Sequence, residues 1–280
     1  MKKRIKNATR GILLNAFFVL ICFISMIPIL YAFSVSLNAK NSLVGSDFSF
    51  IPREFTLSNY AAVFTKQPML LWLKNSAILA ACTLIIALGT AIPAAYAFSR
   101  YRFKGKKTIL YILLLLNAFP TVLSMFAIYR LLNPIGLINT RLGMIIVYTG
   151  TMSIFGLWNM KGYFDTIPAG IEEAAKIDGA NDFQLITRIM LPLAKPSIIV
   201  TAVMILIYVW NEYIYAITFM TGASNYTLAV GLYSLQATET SGNWPVFAAA
   251  SLIISIPVLV IFLTVQKNMV SGLTAGGMKG

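Results

Sequence analysis

The chain contains six long apolar stretches, separated by shorter segments in which the polar and basic residues are concentrated. A helix needs about 20 residues to cross a hydrocarbon core about 30 Å thick. Each stretch reaches that length, so the pattern predicts an all-α integral membrane fold with six transmembrane helices. The fourth stretch is the richest in hydroxyl and amide side chains, which is typical of a span that faces other helices. We place the six spans at residues 11–33, 72–98, 108–129, 142–164, 197–220 and 246–265.

The composition agrees with a lipid bilayer as the solvent of this chain. Of the 280 residues, 58% are hydrophobic and only 11% are charged, and the mean hydropathy is +0.78. A soluble domain carries about 25% charged residues, so a soluble globular fold is excluded. The sequence has no histidine, and Cys22 and Cys82 both lie inside apolar stretches. We therefore expect no metal site and no disulfide framework, and we interpret both cysteines as small apolar packing residues.

The net charge of +13 is explained by membrane topology. A nucleic-acid-binding protein gathers Lys and Arg on one soluble face, whereas here they lie between apolar stretches, so no nucleic-acid partner is expected. If the N-terminus is cytoplasmic, the cytoplasmic segments hold 16 of the 22 Lys and Arg residues. Five precede span one, five follow span two, four follow span four and two follow span six. The positive-inside rule thus predicts a multi-pass protein of the cytoplasmic membrane with both termini in the cytoplasm.

We expect one transmembrane domain at residues 11–266, flanked by cytoplasmic tails at 1–10 and 267–280. The first apolar stretch follows five basic residues, as in a signal peptide, but it is longer than the 7–15 residues of a signal core. It is therefore predicted to be an uncleaved helix. Prolines in or near spans predict kinks, and bundle packing and the shaping of a cavity explain such kinks equally well. These prolines are Pro28, Pro93, Pro120 and Pro257.

Residues 165–196 form the longest predicted cytoplasmic segment, and the first half has the pattern of a short helix. Pro168 suits the first helical turn. Glu172 and Glu173 follow near a helix end whose dipole favours acidic residues, and Gly179 suits a left-handed C-terminal cap. The nearby turns form a smooth face that another protein can approach closely. Its members are Ile171, Ala174, Ala175 and Asp178.

A second short helix is predicted after the glycine, because Asn181 and Gln184 are spaced as a capping box. Pro192 and Pro196 then mark the return of the chain to the membrane. A rigid helix pair with a close-fitting face and one orienting charge, that of Glu173, is what a mechanical coupling element needs. From these residues alone, a coupling element and a loop that merely connects two spans are equally good interpretations.

The same segment resembles the EAA loop of bacterial ABC-importer permeases. Gly179 lies about 100 residues before the end of the sequence, as it does in that family. The resemblance covers nearly the whole chain and points to the carbohydrate branch, in particular to the second permease subunit of the maltose transporter. Supporting stretches are 119–120, 122–124, 136–140, 161–164, 226–231 and 272–280, with Met278 where valine is usual. The fixed positions of the loop are matched by Glu173, Ala174, Ala175, Gly179, Ile189, Leu191 and Pro192.

The resemblance implies a type I ABC-importer permease fold and a complex of several subunits in membrane lipid. The partners would be a homologous second permease, two cytoplasmic ATPase subunits and an extracytoplasmic sugar-binding protein. The EAA helix would dock in a cleft of the ATPase, with coupling residues Glu172, Glu173, Ala174, Ala175, Asp178, Gly179, Ile189, Leu191 and Pro192. The C-terminal tail of the maltose-type subunit also reaches the ATPase, which implies contacts by Gly272, Leu273, Thr274, Gly276, Gly277 and Lys279.

Two further sets of candidates concern the receptor and the sugar. In the maltose-type subunit, the loop that corresponds to residues 221–245 reaches into the receptor's sugar site, although a folded surface loop is the alternative here. The receptor-facing candidates are Asn225, Tyr226, Tyr233, Gln236, Asn243 and Trp244. Sugar paths use aromatic faces and hydrogen-bonding groups, which here are Asn117, Tyr208, Trp210, Asn211, Glu212 and Tyr215.

Glu212 is the only acidic residue inside a predicted span, and its burial is costly unless it has a function or a partner. Contact with the sugar is one interpretation. A hydrogen bond to a neighbouring helix and a pair with the second permease are the others, and in the maltose transporter the other permease holds most of the sugar.

The predicted function is import of a sugar, with maltodextrin favoured by the resemblance and galacto-oligosaccharides close behind. The sequence has no Gly-rich loop followed by Lys and Ser or Thr. This chain is therefore expected not to be an enzyme and to bind no cofactor, and ATP and Mg²⁺ would belong to the partner ATPase. The main alternative is an ABC permease for a non-sugar solute. An ion-coupled transporter is disfavoured because it typically needs internal repeats and charged relays, and a membrane enzyme because histidine is absent.

Overall fold

The computed structural model describes residues 2–39, 51–52, 54–236 and 243–276, with side-chain detail from residue 11 to residue 267 within those ranges. The regular elements of these residues are helical, and an isolated β-bridge joins Asn38 to Phe55. The helices are α1 Lys2–Ser36, α2 Ser58–Thr65, α3 Met69–Arg100, α4 Lys106–Ala118, α5 Thr121–Leu132, α6 Arg141–Phe164, α7 Ala169–Ile177, α8 Asp182–Gln184, the π-turn Leu185–Met190, α9 Leu191–Asn211, α10 Ile214–Phe219, α11 Leu228–Ser234 and α12 Trp244–Gly276.

Within the described ranges, five helical segments are long and apolar enough to cross a membrane, and six if α4 and α5 count as one broken span. The predicted all-α membrane fold is therefore confirmed. The five segments are Gly11–Ser36, Met69–Arg100, Arg141–Phe164, Asp182–Asn211 and Trp244–Lys267.

The third predicted span, 108–129, is not one straight helix. α4 and α5 meet at an angle of 101°. Phe119 lies between them in an extended conformation, with φ −68° and ψ 137°. Pro120 has no N–H to donate and disfavours helical geometry in the residue before it. The kink expected at this proline is therefore a complete break.

The fifth predicted span, 197–220, needs correction at both ends. α9 begins at Leu191 and continues through both prolines, and it ends at Asn211, before the separate helix α10. The second short helix of the loop is also not separate, because α8 continues through the π-turn into α9. Pro192 is tolerated since it lies in the first turn of α9. The wider π-turn before it gives room for a ring that clashes with the carbonyl four residues earlier in a regular helix.

The chain divides into two compact units. One consists of Met1–Pro68 and Leu232–Ser255, and the other of Met69–Gly231 and Ile256–Gly280. In the first unit, the Asn59 side chain donates to the carbonyl oxygens of Ser36 and Asn38, both at 2.9 Å, so α2 is fastened to the end of α1. The single transmembrane domain expected from the hydrophobic pattern stays a prediction.

The second unit is built on the close packing of α3, α6 and α9. Ala87, Ala91 and Ala95 are buried on one face of α3. A Cβ added to Gly156 of α6 would come within 2.9 Å of the Ala91 Cβ, so these helices approach as closely as small residues allow. In the most apolar stretch of α6, 44% of the residues are buried inside the protein. The corresponding share is 0–33% in the other four segments. The expectation that the fourth span faces other helices is thus confirmed.

Candidate functional site

The loop at residues 165–196 presents α7 between two non-helical residues, Pro168 and Gly179. Pro168 is the N-cap, with φ −60° and ψ 132°. Gly179 has φ +85°, and the N–H groups around it cap the last carbonyl groups of α7. A Cβ at Gly179 would meet nothing within 4 Å. Glycine is therefore favoured here by the left-handed backbone rather than by lack of space.

The outward face of α7 carries the residue that the EAA pattern assigns to the ATPase. Glu173 and Ala174 are exposed there, together with Asp178 at the end of the helix. Two large apolar side chains of the same loop are also exposed, Ile177 at the end of α7 at 86% and Phe183 in α8 at 76%. Exposed apolar groups beside a charged group are typical of a protein-binding surface. We call Glu173, Ala174, Ile177 and Phe183 the outward face.

Glu172 and Ala175 lie on the opposite, buried face of α7, although sequence reasoning placed them in the same coupling set. Tyr96 Oη donates to Glu172 Oε2 at 2.9 Å, and Arg100 Nε donates to Glu172 Oε1 in an ion pair. The motif pattern does not identify Arg100 and Tyr96, because they precede Glu172 by 72 and 76 residues. Ala175 belongs to a buried apolar cluster. Other members of this cluster are Tyr96, Met160, Phe164, Leu185 and Met190.

A second polar contact joins the ends of α3 and α6. Asp165, the residue after α6, accepts hydrogen bonds from Ser99 Oγ at 2.6 Å and from Lys161 Nζ at 2.7 Å. Burial alone would raise the pKa of Asp165. The hydrogen bonds from Lys161 and Ser99, with the positive charges of Lys161 and Arg100, outweigh it and hold the pKa below its ordinary value of 3.8.

The second half of the loop has the predicted capping box. Gln184 N donates to Asn181 Oδ1 at 2.9 Å, and Asn181 N donates to Gln184 Oε1 at 3.1 Å. Of the remaining loop candidates, Ile189 and Leu191 are half-buried in the π-turn and at the start of α9, and Pro192 is exposed.

The predicted C-terminal contacts lie on the last turns of α12 and beyond it. Gly272, Leu273, Thr274 and Gly276 are helical, so α12 continues well past the predicted end of its span at residue 265. Gly277 and Lys279 lie outside the described residues.

Glu212 lies in the break between α9 and α10 and is only 9% exposed. Its Oε1 accepts from the Tyr215 N–H at 2.8 Å, and its Oε2 accepts from the Ala216 N–H at 3.1 Å and from Tyr148 Oη at 2.6 Å. Across the described part of the chain, no salt bridge includes Glu212. Of the three interpretations from the sequence, the hydrogen bond to a neighbouring helix is present, and the same carboxylate caps the first turn of α10.

A cavity of about 370 Å³ lies beside the bend between α4 and α5. Tyr215 Oη and Ser124 Oγ, which both line it, are hydrogen-bonded to each other at 3.1 Å. Its walls are mainly apolar, and its polar side chains carry no charge: they are Asn117, Thr121, Ser124, Thr151 and Tyr215.

The six sugar-path candidates therefore do not form one site. Asn117 and Tyr215 line the cavity, and Glu212 supports Tyr215 through the backbone. Tyr208 packs edge-on against Tyr148 with ring centroids 6.1 Å apart. Of the other two, Trp210 lines a separate apolar groove with residues of α3, α9 and α12, and exposed Asn211 donates to the Ile207 carbonyl oxygen at 2.8 Å.

The first part of the predicted receptor-facing loop is held down by hydrogen bonds. Asn75 Nδ2 donates to the carbonyl oxygens of Ser224 at 2.9 Å and Tyr226 at 3.0 Å. Asn225 Nδ2 donates at 2.8 Å to the side chain of Asn139, a residue in the left-handed conformation with φ +60°. Asn225 and Tyr226 are thus fixed to the protein's own framework.

The later candidates in this loop range from exposed to half-buried. Tyr233 is 47% exposed, and Gln236 is half-buried. Asn243 Oδ1 accepts from the Val246 N–H at 3.2 Å and so caps α12, and Trp244 packs against Phe247 with centroids 5.7 Å apart. Residues 237–242 lie outside the described residues.

These features define an integral membrane protein that crosses the bilayer several times, has a broken span beside a cavity, and carries a helix–glycine–helix loop. Residues 87–273 match the family described as binding-protein-dependent transport system inner membrane component. The chain belongs to this family, whose members are membrane components of importers and not enzymes. The resemblance of the whole chain to ABC-importer permeases is confirmed.

Curated relatives cover almost the whole chain. The galactooligosaccharides transport system permease protein GanQ of Bacillus subtilis (strain 168) is 38% identical over 94% of both chains. The maltodextrin transport system permease protein MdxG of the same strain is 33% identical over 98% of this chain and 100% of its own. The maltose/maltodextrin transport system permease protein MalG of Yersinia pestis is 34% identical over 96% of this chain and 94% of its own.

A solved structure has the same fold. It belongs to a bacterial ABC transporter involved in the import of the acidic polysaccharide alginate. It superposes with a TM-score of 0.77 at 26% identity, over 92% of this chain and 95% of that chain. The predicted fold class, a helical importer permease, is confirmed by this likeness together with the family.

Proposed function

We propose that this chain is one of two permease subunits of an ATP-driven importer for a neutral oligosaccharide, either maltodextrin or galacto-oligosaccharide. The observation that carries the proposal is the near full-length similarity to permeases named for those sugars. The cavity beside the α4–α5 bend supports a neutral solute rather than an acidic one, because the polar side chains that line it are uncharged. Hydroxyl and amide groups among apolar walls suit a sugar, which offers hydroxyl groups and apolar ring faces.

In this proposal both termini and the loop at 165–196 lie in the cytoplasm, and the outward face binds the ATPase. Glu173 provides the charged contact, and Ile177 with Phe183 provide apolar area that leaves water on binding. ATP and Mg²⁺ bind to the ATPase subunits. The last turns of α12, from Gly272 to Gly276, form a second contact with the ATPase.

The extracytoplasmic sugar-binding protein contacts the later part of the outer loop, which includes Tyr233 and Gln236. The earlier part, Asn225 and Tyr226, serves instead to fix this loop to α3 and to Asn139. Loaded receptor and ATP then bias the exchange between inward-open and outward-open states because each binds one state better than the other.

Reconstitution tests this function. The tagged chain is purified from native membranes with its associated subunits, placed in liposomes, and supplied with the binding protein, ATP and labelled maltodextrin or galacto-oligosaccharide. We expect uptake of one of these sugars that depends on ATP and on the binding protein. Purification without an ATPase, or uptake driven by an ion gradient without ATP, would contradict the proposal.

The outward face is tested by Glu173→Lys, with Glu173→Gln as the matched control. Reversal of the charge opposes the contact with the ATPase, whereas the amide keeps the size and removes only the attraction. We expect Glu173→Lys to insert normally but to lose the co-purifying ATPase or its stimulation by sugar, and Glu173→Gln to be intermediate. Full sugar-stimulated hydrolysis in Glu173→Lys would exclude this residue as the contact.

A further inference from the structure

The helix that binds the ATPase in the proposed function is attached to the rest of the protein in two ways: through the backbone at its ends, and through side-chain contacts with a helix that is distant in sequence. Along the chain, α7 continues only from α6 and towards α9. Its buried side nevertheless rests on the cytoplasmic end of α3, because Glu172 pairs with Arg100, 72 residues earlier. This attachment concerns the inward side of α7 and is independent of the outward face.

Arg100 makes directed hydrogen bonds with three groups. Its Nε donates to Glu172 Oε1, its Nη2 donates to the Ile167 carbonyl oxygen at 2.9 Å, and its Nη1 donates to Ser99 Oγ at 3.2 Å. A planar guanidinium holds such a set in one orientation, whereas an ammonium group cannot. Tyr96 adds a fourth bond, to the second oxygen of Glu172. We call Tyr96, Arg100 and Glu172 the α3–α7 clasp.

The clasp is shielded from water. The side chains of Arg100 and Glu172 are 16% and 10% exposed, and Tyr96 is 4% exposed. Exposed ion pairs fluctuate and contribute little, but loss of one partner of a buried pair leaves the other charge uncompensated. The pair therefore favours one position of α7 relative to α3.

The two ends of α7 give the clasp its importance. Pro168 in an extended conformation and Gly179 in a left-handed one interrupt the helix on both sides. Since α7 is not a continuation of any span, contacts on its buried face carry its movement to the spans. The apolar cluster around Ala175 connects it to α6 and to the π-turn, and the clasp connects it to α3.

We propose that Arg100 is the positioning residue that fastens the coupling helix α7 to α3 through Glu172, so that a displacement of α7 by the ATPase moves α3 directly. This inference rests on the proposed function. α3 packs along α6 and α9 in the core of the second unit, so movement of α3 reaches the helices around the cavity.

The test compares Arg100→Ala, Arg100→Lys, Glu172→Gln and the double variant Arg100→Lys/Glu172→Gln in the purified complex. Arg102→Ala is the control, because Arg102 is an exposed arginine two residues beyond the end of α3. Two quantities are measured: hydrogen exchange of the amides of residues 169–177, and sugar molecules taken up per ATP hydrolysed.

We expect amide exchange in α7 to rise about tenfold in the Arg100 and Glu172 variants, because the helix opens more often when the clasp is lost. Uptake per ATP should fall by about fivefold or more, while the ATPase still co-purifies and hydrolyses ATP. Arg100→Lys should be affected less than Arg100→Ala, and Arg102→Ala should match the wild type. The double variant should be no worse than its more impaired single variant, since both substitutions break one contact.

Unchanged amide exchange in α7 of Arg100→Ala and Glu172→Gln would show that the clasp does not hold α7 in position. Raised exchange with an unchanged ratio of uptake to hydrolysis would overturn its role in transmission. If Arg100→Ala does not assemble, Arg100→Lys and Glu172→Gln, which keep the side-chain volume, decide between these outcomes. If the wild-type complex takes up no sugar with ATP, the proposed function fails, while the exchange comparison still tests the clasp.

Discussion

Two buried glutamates show how differently one residue type is used in two regions of this protein. Glu172 in the loop at residues 165–196 and Glu212 in the α9–α10 break are 8% and 9% exposed. Glu172 is paired with the cation of Arg100 from a distant part of the chain. Glu212 accepts two backbone N–H groups from the next turn and the hydroxyl of Tyr148. At equal burial, Glu172 pairs with a cation on another helix, whereas Glu212 completes the local backbone and accepts one hydroxyl group from α6.

The difference follows from the surroundings of each residue. Inside a bilayer no water is available for the N–H groups that a helix break leaves unpaired, so an acceptor such as Glu212 must come from the chain. The proposed topology places the Arg100 end of α3 in the cytoplasm, where basic residues next to a span favour the inner side of the membrane. Arg100 is such a residue and also provides a partner for Glu172. We therefore expect substitutions of Glu212 to affect stability first, and substitutions of the loop to affect coupling first.

The largest effect is expected for Glu212→Ala. The substitution leaves the N–H groups of Tyr215 and Ala216 and the hydroxyl of Tyr148 without their acceptor. Each buried unpaired group costs about 1–3 kcal/mol, so the loss amounts to several kcal/mol. We expect a clearly lower melting temperature and less assembled complex, measured by heating in detergent followed by size-exclusion chromatography.

Two milder variants give the control series for this position. Tyr148→Phe removes one donor and leaves the carboxylate with both backbone N–H groups, so its loss should be smaller than that of Glu212→Ala. Glu212→Gln keeps one acceptor oxygen and should lie between them. A Glu212→Ala complex as stable as the wild type but unable to take up sugar would reverse the comparison, because Glu212 would then act on the solute.

A moderate effect, on coupling rather than on stability, is expected for Gly179→Val. The backbone at this position has φ +85°, where a β-branched residue carries strain of about 1–3 kcal/mol. Relief of that strain would reorient α7, so sugar-stimulated ATP hydrolysis should fall while the subunit still inserts. Gly179→Asn is the control, because asparagine tolerates the left-handed conformation. Equal activity of the two variants would show that the turn does not set the orientation of α7.

The smallest effect is the pH dependence contributed by Asp165. Its pKa is lowered in the folded protein, so its stabilising contribution is complete above the ordinary pKa of 3.8 and is lost as the pH falls below that value. The Asp165 side chain is 43% exposed, and screening by solvent reduces the contribution to a few tenths of a kcal/mol. Melting temperatures between about pH 5 and pH 3 should fall slightly less steeply in Asp165→Asn than in the wild type. Identical slopes would show that this contact contributes nothing measurable.

The sequence was sufficient for features that a few neighbouring residues or a long apolar run determine. The membrane helices were predictable because a bilayer demands a fixed length of apolar chain. The capping box at Asn181 and Gln184 and the left-handed Gly179 were predictable because caps have local rules.

Features that depend on distant residues were not predictable in this way. Nothing local to Glu172 identifies Arg100 as its partner. The break after α9 was missed because aromatic and apolar residues continue on both sides of it, although the adjacent polar pair Asn211 and Glu212 inside an apolar run was a signal. A kink at Pro120 was expected, but its 101° angle depends on packing that a single sequence does not contain.

The π-turn Leu185–Met190 also determines where the protein tolerates insertions and deletions. A π-helical turn holds an extra residue, so deletion of one residue there would restore a regular α-helix. A regular α-helical turn has no such reserve, because each of its residues rotates the chain by about 100° around the helix axis. We therefore expect a one-residue deletion in the π-turn to leave the orientation of α7 nearly unchanged, whereas a one-residue deletion in the first regular turn of α9 would turn α7 and its outward face by about that angle. The π-turn is thus the place in this loop where related chains can differ by one residue without moving the surface that α7 presents.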